Sequence, residues 1–180
     1  MNIASAGLRV FDVQALPTHG GSLRVFACRK GASHKAQPGL ADMRVQEKAA
    51  GLDQAAGYEG YGARVQKVRD DLVAFLAGAK AGGKSVAAYG AAAKGNTLLN
   101  YAGVGPDLIA YCVDRNPAKQ DTLLPGSHIR VYDVDQLRLA RPDYVLILPW
   151  NLRDEVAAQL ADLAAAGTRF VVPVPRLEVF

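Results

Sequence analysis

The chain has 180 residues, half of them apolar and 21% charged, with a formal net charge of +4; that length buries one substantial core plus an appendage. Its basic residues are interspersed with acidic ones, which argues against nucleic acid as a partner and leaves an anionic small molecule compatible with the charge. Cys28 and Cys112 lie in separate strand-like runs with no Cys or His at metal spacing, so no metal site or disulfide framework is expected. No run has the length of a membrane span and no signal region opens the chain, so the expected location is the cytoplasm.

Leu8–Leu16 and Ser22–Arg29 alternate apolar with mostly polar residues around Pro17-Thr18-His19-Gly20-Gly21, the pattern of an antiparallel hairpin with a glycine-containing loop. A lone two-stranded hairpin is marginal in water, so this one is expected to be borrowed from, or added to, a larger sheet. Residues 31–39 have linker composition. Leu40–Leu52 and Tyr58–Ala81 show helical spacing, the second at Val65, Val68, Leu72, Phe75 and Leu76, and Gly82-Gly83 stops it. These two helices read as a packing layer and connector.

From residue 84 the rhythm becomes strand then helix. Ser85–Tyr89 is a short apolar strand that reaches Gly90 and passes through Ala91–Lys94 into a helix carrying Leu98, Leu99 and Tyr101. Leu108–Val113, Ile129–Val131, Tyr144–Leu148 and Phe170–Val172 follow as strands, with a weak helix over Val134–Leu139 and another over Arg153–Ala166. Near-continuous apolar strands in this rhythm predict an α/β domain, a parallel sheet of five strands with helices on both faces.

Ligands in such sheets bind outside the carboxyl ends of the strands, and the chain's distinctive polar residues fall there. Gly90 can take the tight bend, and Gly95 lets another group approach the backbone. The helix that follows offers its N–H groups to an anion, and Lys94 in its first turn asks for a negative partner. Yet Gly-Ala-Ala-Ala-Lys-Gly is neither the dinucleotide fingerprint nor the P-loop, and a lysine on a helix is commonly just solvated. Asp114 stands where a ribose-binding acid would lie, or else caps the turn ahead of Asn116-Pro117. Trp150 is a stacking wall for a base or a core plug, and Asn151 suits an N-cap. Tyr89 and Tyr101 suit packing. His19, between a threonine and two glycines, is either a substrate-contacting or catalytic residue or a plain turn residue. His34 and His128 have no ligand-like neighbours.

Pro17–Arg24, Tyr89–Tyr101, Val113–Gln120 and Leu146–Asn151 together resemble the C-terminal region of S-adenosylmethionine-dependent sugar C-methyltransferases. The resemblance runs through nearly the whole chain in the same order. It implies a three-part enzyme: a zinc-binding module, a central methyltransferase domain, and a C-terminal Rossmann-like domain that does not hold the methyl donor. On that reading residues 1–30 are the last two strands of the central domain, 31–83 a linker with connecting helices, and 84–180 the Rossmann-like domain. S-adenosylmethionine would serve the intact enzyme, with none expected on this chain, and the methyltransferase domain would be a partner in cis or trans.

The substrate implied is a nucleotide-linked sugar such as a thymidine diphosphate sugar, held by Tyr89, Gly90, Lys94, Gly95, Asn96, Thr97, Asp114, Asn116, Lys119, Trp150 and Asn151. His19 would face the sugar. In the intact enzyme a base outside this chain would remove the proton alpha to the ketone, and the enolate would attack the donated methyl. Two other readings stand beside it: a freestanding NAD or coenzyme A domain, and a non-catalytic interaction module.

Overall fold

A computed structural model describes residues 3–18 and 21–180. The chain divides into two compact units, Met1–Tyr61 and Gly62–Phe180. In the first, β1 (Leu8–Leu16) and β2 (Ser22–Arg29) pair antiparallel from Leu8↔Arg29 to Leu16↔Ser22, with a bulge between Val10 and Asp12. The carbonyl of Phe11, the extra residue of the bulge, accepts from the backbone of Gln37 at 2.7 Å, and its ring packs against Phe26 and His34. These strands form a two-stranded sheet of their own among the described residues. Their cover comes instead from α1 (Pro38–Ala49), where Gly39 lies so close to the Val13 carbonyl that no side chain fits between. Residues 38 and 39, read from composition as linker, are thus the first turn of that helix, and Pro38 suits such a start because it has no N–H to satisfy.

The second unit takes in all but the first residue of the long helix α2 (Tyr61–Ala81), which buries Leu72, Leu76 and Ala79. The sheet that follows is built from β3 (Val86–Tyr89), β4 (Cys112–Val113), β5 (Val131–Tyr132), β6 (Tyr144–Ile147), β7 (Arg169–Val172) and β8 (Glu178–Val179). The strands lie in the order β5-β4-β3-β6-β7-β8, all parallel except β8, which runs antiparallel to β7. The expected α/β architecture is what the chain adopts. Five strands were expected and six are found, because two residues near the C-terminus suffice to pair with β7.

Period-two alternation sorts the strand residues into two cores. Val86, Ala88, Cys112, Leu146, Leu148 and Val171 face α2 and α3 (Ala93–Ala102), which contributes Leu99. Ala87, Tyr89, Val113, Val145, Ile147, Phe170 and Val172 face α4 (Asp135–Ala140), α5 (Arg153–Gln159) and α6 (Ala161–Ala165). Sandwiching both faces explains why these strands are apolar on both sides.

Several boundaries differ from the sequence pattern. The expected strand Ile129–Val131 is Val131–Tyr132, and the helix expected from Tyr58 starts at Tyr61, after a 3-10 turn over Ala55–Tyr58. Of the apolar run Leu108–Val113 only Cys112 and Val113 make a strand; Leu108 and Ile109 belong to a turn closed on the Gly105 carbonyl, and Ile109 is apolar because that turn dips into the core. The single helix expected over 153–166 is broken at Leu160, whose φ of −109° and ψ of 23° separate α5 from α6. Leu160 is itself 1% exposed, so the break keeps its side chain in the core. Trp150–Leu152 forms a 3-10 turn ahead of α5, and Leu152, not Asn151, stands at the N-cap.

Candidate functional site

The strand order reverses between β3 and β6, so the crevice of the sheet opens where β3 feeds α3. Gly90 makes that turn with φ of +90°, and a Cβ there would stand 2.6 Å from the Pro149 ring. Gly95, in the first turn of α3, would place a Cβ 2.5 Å from Leu148 Cβ. The group that approaches Gly95 is therefore a side chain of the sheet, and this glycine lets α3 sit down on β6. Ala92 occupies the N-cap of α3 and has no side chain to cap it, so the positive end of this ten-residue helix stands at the crevice without an N-cap side chain.

Asp114 holds the crevice together. One carboxylate oxygen accepts from the backbone of Ala91 at 2.7 Å and from Lys119 Nζ at 3.2 Å; the other accepts from the backbone of Asn116 at 2.8 Å. Lys119 Nζ also donates to the Ala91 carbonyl at 3.0 Å, so the β3–α3 turn is gripped at both its N–H and its C=O. The side chain of Asn116 accepts from Ala118 and caps the short 3-10 turn Pro117–Lys119. Asp114 is 8% exposed. Buried charge is tolerated when paired and hydrogen-bonded, which is the case here.

On the other flank, Lys94 Nζ donates to Asn151 Oδ1 at 2.9 Å and lies 5.1 Å from the centre of the Trp150 ring. The ring face attracts a cation, and the amide fixes where that cation sits. Three residues singled out separately in the sequence thus meet, with Trp150 half-buried against the core on the α4–α6 side.

Between the first turn of α3 and the segment 118–125 lies an open cleft of about 520 Å³, whose walls include Ala91, Asn96, Lys119, Leu123 and Pro125. Asn100 of α3 donates to the Pro125 carbonyl at 2.9 Å and pins this segment to the helix. Gly126 passes so close to the Asn100 amide that only glycine fits, and its φ of +83° is one that glycine accepts. The Oδ1 of Asn96 is sealed from solvent with no hydrogen-bond partner. On the opposite face of the sheet Arg115, Val134, Arg138, Gln159 and Leu160 line a smaller hollow of about 260 Å³.

Residues 17–175 match the model of the C-methyltransferase C-terminal domain. The chain belongs to this family. It is also 38% identical over 175 residues to the C-methyltransferase NovU of Streptomyces niveus; the match covers 97% of this chain and 42% of that protein. The chain therefore spans less than half the length of the curated relative. The resemblance drawn from four motifs is borne out at the level of the family.

Within this C-methyltransferase C-terminal domain, the residues named from sequence divide by environment. Lys94, Asn96, Trp150 and Asn151 stand on the crevice, and Gly90, Asp114, Asn116 and Lys119 shape it. Tyr89 is drawn into the core on the α4–α6 side, where its hydroxyl donates to Gln159 Oε1 at 2.9 Å and burial raises its pKa. Thr97 returns its hydroxyl proton to the Ala93 carbonyl at 3.1 Å. Tyr101 lies 46% exposed beneath Arg69. His19 falls outside the described residues. Leu123 and Pro125 line the cleft and Asn100 pins their segment; none was singled out in advance, for their roles depend on a segment 25 residues downstream folding back on α3. Among the described residues no group of His, Cys, Asp and Glu could hold a metal ion, and no helix is long and apolar enough to cross a membrane.

Proposed function

We propose that this chain is the substrate-side part of an S-adenosylmethionine-dependent C-methyltransferase, and that its crevice binds a nucleotide-linked sugar, best a thymidine diphosphate sugar. The methyl donor would be held by a methyltransferase domain in cis or in trans. The observation that carries the reading is the commitment of Asp114. In doubly wound sheets that bind an adenine dinucleotide, the acid in this position takes the ribose hydroxyls. Here Oδ2 accepts from Ala91 and Lys119 and Oδ1 from Asn116, which leaves one lone pair of Oδ1 where a ribose diol asks for a bidentate acceptor. That commitment makes Asp114 a poor ribose ligand, which supports a donor site elsewhere and weighs against an NAD domain.

A diphosphate makes no demand on Asp114. The start of α3 and the ammonium of Lys94 would offer it donors and positive charge, and Asn96, Thr97, Asn116, Lys119, Trp150 and Asn151 are the residues proposed to complete the site. The contribution of this chain to catalysis would be orientation of the sugar, not proton transfer. His19 is proposed to face the sugar.

Calorimetric titration with thymidine diphosphate tests the reading. Binding is expected, weakened about tenfold in Lys94→Ala, the effect of losing one charged contact of about 1.4 kcal/mol. Equal affinity in both proteins would remove Lys94 from the site. Stabilisation by NAD or coenzyme A, with none by thymidine or uridine diphosphate, would overturn the proposal.

A further inference from the structure

Lys94 and Asn151 stand on the two loops that flank the reversal in strand order. Lys94 lies in the first turn of α3, which follows β3, and Asn151 in the 3-10 turn that follows β6. The two side chains, 57 positions apart in sequence, meet through the bond from Lys94 Nζ to Asn151 Oδ1 at 2.9 Å, with the centre of the Trp150 ring 5.1 Å from the ammonium. A lysine ends in a point charge on a flexible stem, and ordering that stem for a ligand costs rotamer entropy. Here the amide oxygen and the ring face hold the ammonium in one place before any ligand arrives, which lowers the cost of binding.

The tether is a neutral group. An aspartate at 151 would accept the same hydrogen bond and, being ionised, would hold the ammonium more strongly. It would also offset the positive charge that an anionic ligand seeks and set a negative charge beside that ligand. Asparagine does neither. An ammonium has donors and no acceptor, so the carboxamide oxygen must be the end that faces it, and the NH2 group is left on the other end. That NH2 group makes no hydrogen bond among the described residues. The two side chains differ little in shape, so what distinguishes asparagine at this position is the absence of charge and the presence of a donor.

We propose that Asn151 is a positioning residue for Lys94, a neutral tether that fixes the ammonium near the start of α3 and leaves its charge to the ligand. This rests on the reading of the crevice as a diphosphate site and adds a requirement to it: position 151 serves the site only with an uncharged acceptor for Lys94.

The test is calorimetry on the 180-residue chain with thymidine diphosphate, for the wild type, Asn151→Ala, Asn151→Asp, Lys94→Ala and the double variant of Lys94→Ala with Asn151→Ala. Asn151→Ala should bind severalfold more weakly than the wild type. Asn151→Asp keeps the bond to Lys94 and gains an ion pair, so its urea midpoint should stand at or above that of the wild type while its affinity falls at least tenfold. A role confined to holding the loop would move the midpoint and leave the affinity of Asn151→Asp unchanged. Because Asn151 acts through Lys94, adding Asn151→Ala to Lys94→Ala should cost nothing further, and this arm carries the test if Asn151→Asp does not fold. Asn151→Asp binding as tightly as the wild type, Asn151→Ala binding as tightly or more so, or an equal loss from Asn151→Ala with and without Lys94 would overturn the tether and leave the diphosphate site standing. No binding to the wild type would overturn the nucleotide reading itself, and this proposal with it.

Discussion

Replacing Gly95 by alanine separates two effects that a glycine in a helix ordinarily confounds. Alanine is the better helix former by about 1 kcal/mol. At Gly95, however, the added Cβ would lie 2.5 Å from Leu148 Cβ, with Leu148 Cγ and Cδ1 at 3.1 and 3.2 Å. Ordinary contact begins at 3.4 Å, so the overlap is about 0.9 Å. The nearest atom is a Cβ, fixed to the backbone, so no rotamer of Leu148 relieves it and α3 must move off β6. Overpacking of that kind costs about 1–3 kcal/mol, and after subtracting the propensity gain Gly95→Ala is expected to destabilise by up to about 2 kcal/mol.

Gly78 of α2 supplies the control, because a Cβ there meets nothing within 4 Å. Gly78→Ala should stabilise by up to about 1 kcal/mol. Urea unfolding of both variants, read as shifts in midpoint, measures the two effects side by side. If Gly95→Ala gained as much stability as Gly78→Ala, the close approach of α3 to β6 would be wrong.

Asp143 accepts from the backbone of Ser85, from Lys84 and from the Ser85 hydroxyl, and these bonds hold its pKa down from 3.8 to about 2. Its contribution is therefore present above about pH 4 and drains away as the pH falls toward 2, so Asp143→Asn should flatten the acid limb of a stability profile in that window; an unchanged slope would count against these bonds. The Cys112 thiol, fully buried and pushed up to about 12 by burial and then by Asp114, should not react with an aromatic disulfide reagent until the chain unfolds, whereas half-buried Cys28 should react in the native protein. Two thiols titrating together under native conditions would contradict this burial.

The sequence displays what depends on local pattern. The apolar runs Ser85–Tyr89, Tyr144–Leu148 and Phe170–Val172 and the helical spacing of Tyr58–Ala81 are single-segment signals, and each became the expected kind of element to within a few residues. It also displays where polar residues must gather, since the carboxyl ends of parallel strands share one side. Pairings across the chain are another matter. Nothing in the local pattern around Asp114 reveals that it clamps Ala91, a residue 23 positions earlier, or that Lys94 reaches Asn151 across 57. Gly95 shows the same limit: its sequence context announces a close approach, and only the packing of β6 reveals that Leu148 is what approaches. Glu178 and Val179 become a strand because Phe170 and Phe180 exchange backbone hydrogen bonds at 2.9 Å, a long-range pairing that two residues cannot announce.

The segment 121–124 has a second consequence, at the rim of the sheet. It folds back on β5, the Asp121 N–H donating to the Val131 carbonyl, the Val131 N–H to the Thr122 carbonyl and the Leu124 N–H to the Ile129 carbonyl, and so occupies backbone groups that an outermost strand would otherwise present to a neighbouring molecule. At the other margin β8 is only two residues long. With both margins blunted in this way the sheet gives a passing chain little ladder to extend. A variant that loosens 121–124 to widen the cleft would also uncover a sticky border, trading ligand access against a tendency to aggregate.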